Sequence, residues 1–162
     1  MARGDLFADE LLTWPGTPIA WQQSVKGPGG GADCKGVMVG AARACGFPEA
    51  QGLYALMMTY AKNRPVPCDL LFKGLCETFD RIEFARLPRI RKFVVPPEIQ
   101  RGDVLLVTMM GRPQHLAGVT EAGPNGRVVH AQVTPNKLVK ETRLDLLLRA
   151  YPLHSIFRWR EA

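Results

Sequence analysis

Long apolar segments are missing from this chain of 162 residues. No apolar run approaches the ~20 residues that a helix needs to cross a bilayer, so a membrane span is not expected. The first residues, Met1–Glu10, contain no apolar core and carry acidic side chains early, which is not the pattern of a secretory signal peptide. We therefore expect a protein that is made in the cytoplasm and that no signal peptide exports.

Metal-binding and disulfide patterns are missing as well. The four cysteines and three histidines form neither a CxxC pair nor an HxxxH pair, so no metal is expected. A formal GxGxxA match at residues 27–32 follows a polar segment and no βαβ unit comes after it, so no dinucleotide or other cofactor is expected. Because the chain exceeds the size of a typical disulfide scaffold and lacks an export signal, its cysteines should be reduced thiols.

Nucleic-acid-binding motifs are also lacking, although the formal net charge is +6. The clearest basic stretch is Arg86–Lys92, which we interpret as a solvated loop or edge strand. No recognition helix or zinc finger accompanies it, so specific nucleic-acid binding is not expected. A mildly basic balance still suits an anionic partner such as a cell-wall polymer.

What the chain does contain is a change of pattern near its middle. Helical periodicity dominates the first half and strand patterns the second, which indicates an α+β fold rather than alternating βαβ units. We interpret the whole chain, residues 1–162, as one domain with a helical insertion at about residues 49–101. Helices are predicted over residues 5–14, 34–44, 49–63, 68–79 and 144–150, and strands over 103–109, 115–121, 127–133, 137–141 and 155–160, with a turn at 123–126.

The most informative feature is Cys34, which opens a helical pattern directly after a glycine-rich run. Asp33 is a good N-cap for this helix. A cysteine in the first helical turn lies near unpaired backbone N–H groups and the positive end of the helix dipole, and both favour the thiolate. Cys34 is therefore a candidate nucleophile.

Two histidines in the β-rich half could serve that nucleophile. If residues 121–126 connect the two strands, His115 lies opposite Gln132 and His130 opposite Ala117, so the histidines become diagonal neighbours about 7–8 Å apart on one face. A tight turn at Asn125-Gly126 would separate them, so the interpretation requires the wider loop or a bulge. Gln132 competes with His130 for the third position of the site.

The chemistry of such a set is nucleophilic catalysis. The Cys34 thiolate would attack an acyl carbon, His115 would transfer the proton, and His130 would orient and stabilise the imidazole. The Cys34 backbone N–H would hold the oxyanion together with one more donor, for which Trp21 or Gln22, just upstream, is available.

Five motifs occur in one order along the chain, spread over about residues 14–160: Gly16-Thr17-Pro18, Asp33-Cys34-Lys35-Gly36, Gly102-Asp103-Val104-Leu105, His115-Leu116-Ala117-Gly118 and Val129-His130-Ala131. The set resembles the NlpC-like cell-wall cysteine peptidases, whose pattern runs G-T-P-Y, D-C-S-G, G-D-L-V, H-V-G-I and I-H-A. Gln22 and the segment Val25-Lys26-Gly27 make it most similar to the branch found in tailed phages and gene transfer agents.

The resemblance implies a papain-like α+β core, with the nucleophile at a helix N-terminus and the helices packed on an antiparallel sheet. It also implies Cys34 as nucleophile, His115 as base, His130 as third member, and hydrolysis of an amide in the peptide stem of peptidoglycan. Phage-like tail or hub proteins are the implied partners. A tail particle would then carry the protein to the periplasmic cell wall.

Two positions depart from the family pattern. Ile19 replaces the family tyrosine, and Lys35 replaces the small residue that usually follows the cysteine. These departures keep open an alternative in which the chain is a weak or inactive adaptor module of a tail hub.

Overall fold

The computed structural model describes residues 1–59, 67–86, 93–132 and 136–161. Tyr60, the end of the predicted helix 49–63, most of the basic stretch 86–92 and residue 133 of a predicted strand lie outside the described residues. The described elements, in chain order, are α1 (Arg3–Leu11), β1 (Ser24–Val25), β2 (Gly31–Ala32), α2 (Cys34–Ala44), α3 (Glu49–Met57), α4 (Cys68–Thr78), β3 (Asp80–Ile82), β4 (Val104–Met109), β5 (Arg112–Glu121), β6 (Arg127–Gln132), β7 (Leu138–Arg143), α5 (Leu144–Ala150) and β8 (Leu153–Arg158).

The larger sheet has six strands in the order β3-β8-β4-β5-β6-β7, and every neighbouring pair is antiparallel. Alternate residues of its strands face two separate apolar clusters, as the period of two requires. One face packs against α1 to α4 and includes Val104, Leu106 and Leu116. The other packs against α5 and includes Leu105 and Val107. The predicted α+β class, with helices packed on an antiparallel sheet, is confirmed.

Helix α2 is the most deeply packed helix of the first half, because its residues from Gly36 to Ala42 are all buried. Small side chains let it lie close to its neighbours. A Cβ at Gly40 would overlap the ring of Trp14, for example. This packing leaves the start of α2, with Cys34, half-exposed at the end of the sheet.

Most predicted elements are present, and two of them, α2 and α5, have the predicted bounds. The predicted turn is confirmed by the Gly126 amide, which donates to the Gly123 carbonyl at 2.9 Å. Helix α1 ends at Leu11, because the amides of Thr13 and Trp14 turn back onto Glu10 and Leu11 ahead of Pro15.

One correction concerns the region at 49–101 interpreted as a helical insertion. It carries α3 and α4, but it also carries the strand β3, which pairs with β8 at the sheet edge. Three residues are too few for a strand periodicity to be visible in the sequence, so only the pairing reveals this strand. The short strands β1 and β2, which pair with each other, were not predicted from the sequence for the same reason. Within the described residues, no helix is long and apolar enough to cross a membrane.

A buried ion pair joins the start of β4 to the end of β8. Asp103 accepts hydrogen bonds from Arg158 Nε and Nη2, both at 2.8 Å, and from the Gln100 amide at 2.7 Å. Burial raises the pKa of the Asp103 carboxyl, while its hydrogen bonds with Arg158 act in the opposite direction. The two guanidinium bonds hold the Asp103 side chain against the end of β8. Asp103 is therefore a structural residue.

Replacing Asp103 should destabilise the fold. In Asp103→Ala the Arg158 guanidinium loses its partner, and we expect the free energy of unfolding to fall by about 2 kcal/mol, less than for a fully buried pair because Arg158 is partly exposed. Urea denaturation measures the change. The double variant Asp103→Leu/Arg158→Met should recover part of the loss, and a loss as large as in the single variant would contradict this account.

Candidate active site

The cap of helix α2 positions Cys34. Asp33 Oδ1 accepts the Gly36 amide at 2.7 Å, and Asp33 Oδ2 accepts the Gln22 amide at 3.0 Å. This single carboxylate therefore fixes both the first turn of the helix and the segment that precedes it. The amides of Cys34 and Lys35 have no hydrogen-bond acceptor within the described part of the chain, as is usual for a first helical turn. The predicted cap and the predicted helix start are both confirmed.

The two histidines meet across β5 and β6. Ala117 pairs with His130, as the wider connection predicts, and the register shifts between Val119 and Glu121. The sequence interpretation required either the wider loop or a bulge, and this irregularity is a bulge. It brings His115 Nε2 to 2.9 Å from His130 Nδ1, a hydrogen bond in which one nitrogen donates and the other accepts. Of the two candidates for the third position of the site, His130 is therefore the one that hydrogen-bonds to His115.

A second bulge precedes His115. Val107 pairs with His115 but Thr108 pairs with Pro113, so Gln114 is the extra residue on β5. The bulge carries the Gln114 carbonyl to 3.9 Å from Cys34 Sγ. The sulfur thus lies beside the backbone that leads into His115. Among the described residues no hydrogen bond joins Cys34 Sγ to either imidazole. Such contacts are commonly loose before substrate binds.

Both imidazoles are held in the neutral form. Burial, followed by the charge of Lys35, lowers the pKa of His115 to about 4. Burial, followed by His115, lowers the pKa of His130 to about 4. Because Nε2 of His115 is occupied by His130, Nδ1 is the nitrogen left to accept a proton. With Nε2–H donating to His130, the ring has the tautomer that a general base needs.

The histidine pair should make stability depend on pH. Their folded pKa values lie below the ordinary value of about 6.5, so as pH falls the unfolded chain takes up protons first. The stability that the neutral pair contributes is complete above pH ~6.5 and is lost as pH falls towards 4. We expect the free energy of unfolding, measured in urea, to decrease between pH 6.5 and 4.5.

The matched comparison is the double variant His115→Asn/His130→Asn. Its unfolding free energy should depend less on pH in the same window, because asparagine does not titrate there. Equal slopes for the two proteins would show that the histidines do not carry the effect.

The three other candidate site residues have different environments. The backbone amide of Gln22 donates to Asp33, and its side-chain amide donates to the Met57 carbonyl at 3.2 Å. Trp21 Nε1 is buried with no acceptor among the described residues. Gln132 is half-buried on β6, two residues beyond His130 and opposite Leu138 of β7. Of these, Trp21 Nε1 is the buried donor that is still without an acceptor.

The sequence analysis did not assign a role to Lys35, which it treated only as a departure from a family pattern. Its Nζ lies 3.8 Å from Cys34 Sγ. Tyr151 was not considered, yet its ring centre lies 6.1 Å from that of His115. Nothing in the local sequence around Tyr151 could have indicated this contact, because α5 and β5 are distant in the chain. Within the described residues no three His, Cys, Asp or Glu side chains are grouped as a metal site.

Comparison with solved structures shows a shared fold. A crystal structure at 1.15 Å resolution of an N-acetylmuramoyl-L-alanine amidase from Bacteroides uniformis is 14% identical to this chain, with a TM-score of 0.61. A second, at 1.07 Å, is 13% identical, with a TM-score of 0.58. Each comparison covers 98% of this chain and 99% of the amidase chain. At these identities the likeness establishes the fold alone.

Comparisons by sequence add no family. No protein-family model matches this chain, and no curated protein matches it significantly. The case for a function therefore depends on the geometry of the site and on the motifs.

Proposed function

We propose that this protein is a cysteine-type peptidoglycan hydrolase that cleaves an amide bond in the peptide stem. The observation that carries the proposal is a half-exposed cysteine at a helix start whose sulfur lies 3.9 Å from the carbonyl of Gln114, the residue before His115. His115 in turn is hydrogen-bonded to His130, and both imidazoles are buried and neutral. The shared fold with a protein named as an N-acetylmuramoyl-L-alanine amidase supports the same class of substrate. The order of the motifs supports the cysteine mechanism.

The proposed reaction has two halves, the formation of a thioester and its hydrolysis. The Cys34 sulfur attacks the amide carbon while its proton passes to His115 Nδ1. His115 then gives that proton to the leaving amine, the C–N bond breaks, and a thioester to Cys34 remains. A water molecule next attacks the thioester and passes a proton to His115. The S–C bond breaks and the proton returns to the sulfur, which leaves a carboxylic acid and regenerates the site.

Two groups can stabilise the oxyanion that forms in each half of the reaction. The Cys34 amide has no acceptor among the described residues and lies at the positive end of the α2 dipole. Trp21 Nε1 is a second donor without an acceptor. Gln22, whose amide is bonded to the cap residue Asp33, places Trp21 beside the start of the helix.

The setting of this activity is proposed from the motifs. The likeness of the motifs to a branch found in tailed phages and gene transfer agents favours a component of a phage-like tail, with tail or hub proteins as partners. In that setting the particle would bring the enzyme to the periplasmic cell wall. Purified tail particles would contain the chain in stoichiometric amount.

One observation favours a second function. Cys34 Sγ is bonded to the Gln114 carbonyl and not to an imidazole, as it would be in an adaptor that keeps the fold without the activity. The hydrolase and adaptor functions are distinguished by incubating the purified chain with peptidoglycan and analysing the soluble products by mass spectrometry. Stem fragments carrying a new carboxyl and a new amine support the hydrolase. Unchanged peptidoglycan across several chemotypes, from a folded protein with an alkylatable Cys34, supports the adaptor.

A further inference from the structure

Lys35 places a positive charge where the local structure opposes one. It is the second residue of α2, so its ammonium lies at the positive end of the helix dipole, which disfavours a cation. No carboxylate forms an ion pair with Lys35 among the residues that the structure describes. A half-buried ammonium without an ion-pair partner is costly, so a negative charge close to Nζ would stabilise it.

The surroundings of Lys35 are apolar on one side and lead to Cys34 on the other. Its side chain lines a small apolar cavity of about 10 Å³ together with Met38, Leu53 and Leu71. Such a cavity barely accommodates one water molecule, so little water can solvate the ammonium from this side. The aliphatic stem packs against these apolar walls, and Nζ emerges 3.8 Å from Cys34 Sγ.

Three ionisable groups act on Lys35, and Lys35 acts on a fourth. The negative charge of a Cys34 thiolate is the largest cause that raises the pKa of Lys35, burial opposes it, and Asp33, the hydrogen bond to Cys34 and Cys68 of α4 act in the same direction as the thiolate. In turn the Lys35 charge helps to lower the pKa of His115 on β5. Among the described residues no hydrogen bond joins the sulfur to either imidazole, whereas Lys35 Nζ lies within hydrogen-bond distance of it.

We propose that the Lys35 ammonium is the charge partner of the Cys34 thiolate, so that lysine rather than imidazolium stabilises the anionic nucleophile. The pairing favours the transfer of the Cys34 proton to His115 that begins the proposed reaction, because the Lys35 charge stabilises the negative charge left on the sulfur. It also gives a role to a residue that the family pattern does not contain. This inference takes from the proposed function that Cys34 is the nucleophile, but the ion pair itself is measurable without any substrate.

The test is the pH dependence of Cys34 alkylation by iodoacetamide, followed on the Cys34 peptide by mass spectrometry. Lys35→Met keeps a stem that fits the apolar cavity and removes the charge, and we expect the midpoint of its alkylation profile to lie about one pH unit above that of the wild type. Lys35→Arg keeps a cation and should stay near the wild-type midpoint. Equal midpoints for the wild type and Lys35→Met would overturn the proposal.

A reciprocal measurement serves if Lys35→Met does not fold. Removing the anion in Cys34→Ala should let the Lys35 amine lose its proton more readily, so its acetylation at pH 9 should be several-fold faster than in the wild type. An unchanged acetylation rate would contradict the pairing. A shifted alkylation midpoint in a protein that releases no peptidoglycan fragments would refute the hydrolase and leave the ion pair standing. Hydrolysis without any shift would refute the ion pair alone.

Discussion

Replacing Cys34 by alanine should reduce the release of peptidoglycan fragments by at least about 10³-fold, because no other group in the site can form the thioester. The fold should survive. Cys34 is half-exposed at the first position of α2, where alanine is a good helix former, and the Asp33 cap bonds to Gly36 rather than to Cys34. The measurement is fragment release per enzyme over time, with thermal unfolding as the check on folding.

The matched control is Cys45→Ala at the other end of the same helix. Cys45 Sγ lies 3.5 Å from the Leu6 carbonyl, far from the histidines along α2, and burial raises the pKa of its thiol. This variant should keep near wild-type hydrolysis. Equal activity of Cys34→Ala and wild type would remove Cys34 from the mechanism, whereas loss of activity in both variants would indicate a structural effect.

Replacing Gly36 by alanine should have the largest effect on stability. A Cβ at this position would overlap the carbonyl oxygen of Gln23, which is backbone and cannot turn away. Ser24 Oγ also donates to the Gly36 carbonyl at 2.6 Å, so the segment before the helix is held tightly against it. We expect the free energy of unfolding to fall by about 3 kcal/mol, measured in urea.

Activity should fall with stability in Gly36→Ala, because displacing residues 21–24 disturbs the Gln22 bond to the cap. The control is Gly52→Ala in α3, where an added Cβ meets nothing within 4 Å. There, alanine should be neutral or stabilise by up to ~1 kcal/mol through its helix propensity. A loss of similar size at both positions would show that the close approach of Gln23 is not the cause.

The glycine of the Asp-Cys-Lys-Gly motif thus has a packing reason. Sequence reasoning quoted this glycine only as part of a motif, since the approach of Gln23 depends on a loop whose path no local pattern specifies. The N-cap of α2, in contrast, was predictable from the sequence. An acidic residue directly before a helical period predicts the helix start by itself, because the Asp33 contact to Gly36 spans three residues.

The histidine pair was predictable for a similar reason. The spacing from His115 to His130 and the turn residues between them limit the cross-strand register to few choices, and one of these brings the rings together. The bulge at Gln114 was not predictable. It arises from the pairing of β5 with β4. Because of this bulge, the Cys34 sulfur lies beside the Gln114 carbonyl and is not hydrogen-bonded to an imidazole among the described residues.

By itself the sequence determined the α+β class, the start of α2 at a capped cysteine, and the neighbourhood of two histidines, because each depends on periodicity or spacing within a short stretch. Only the tertiary structure decided that β3 joins the sheet, that Asp103 pairs with Arg158, and that Lys35 lies against the sulfur in an apolar wall. These contacts join segments that are far apart in the chain or depend on how a side chain is packed, and their energies come from burial that no local pattern records.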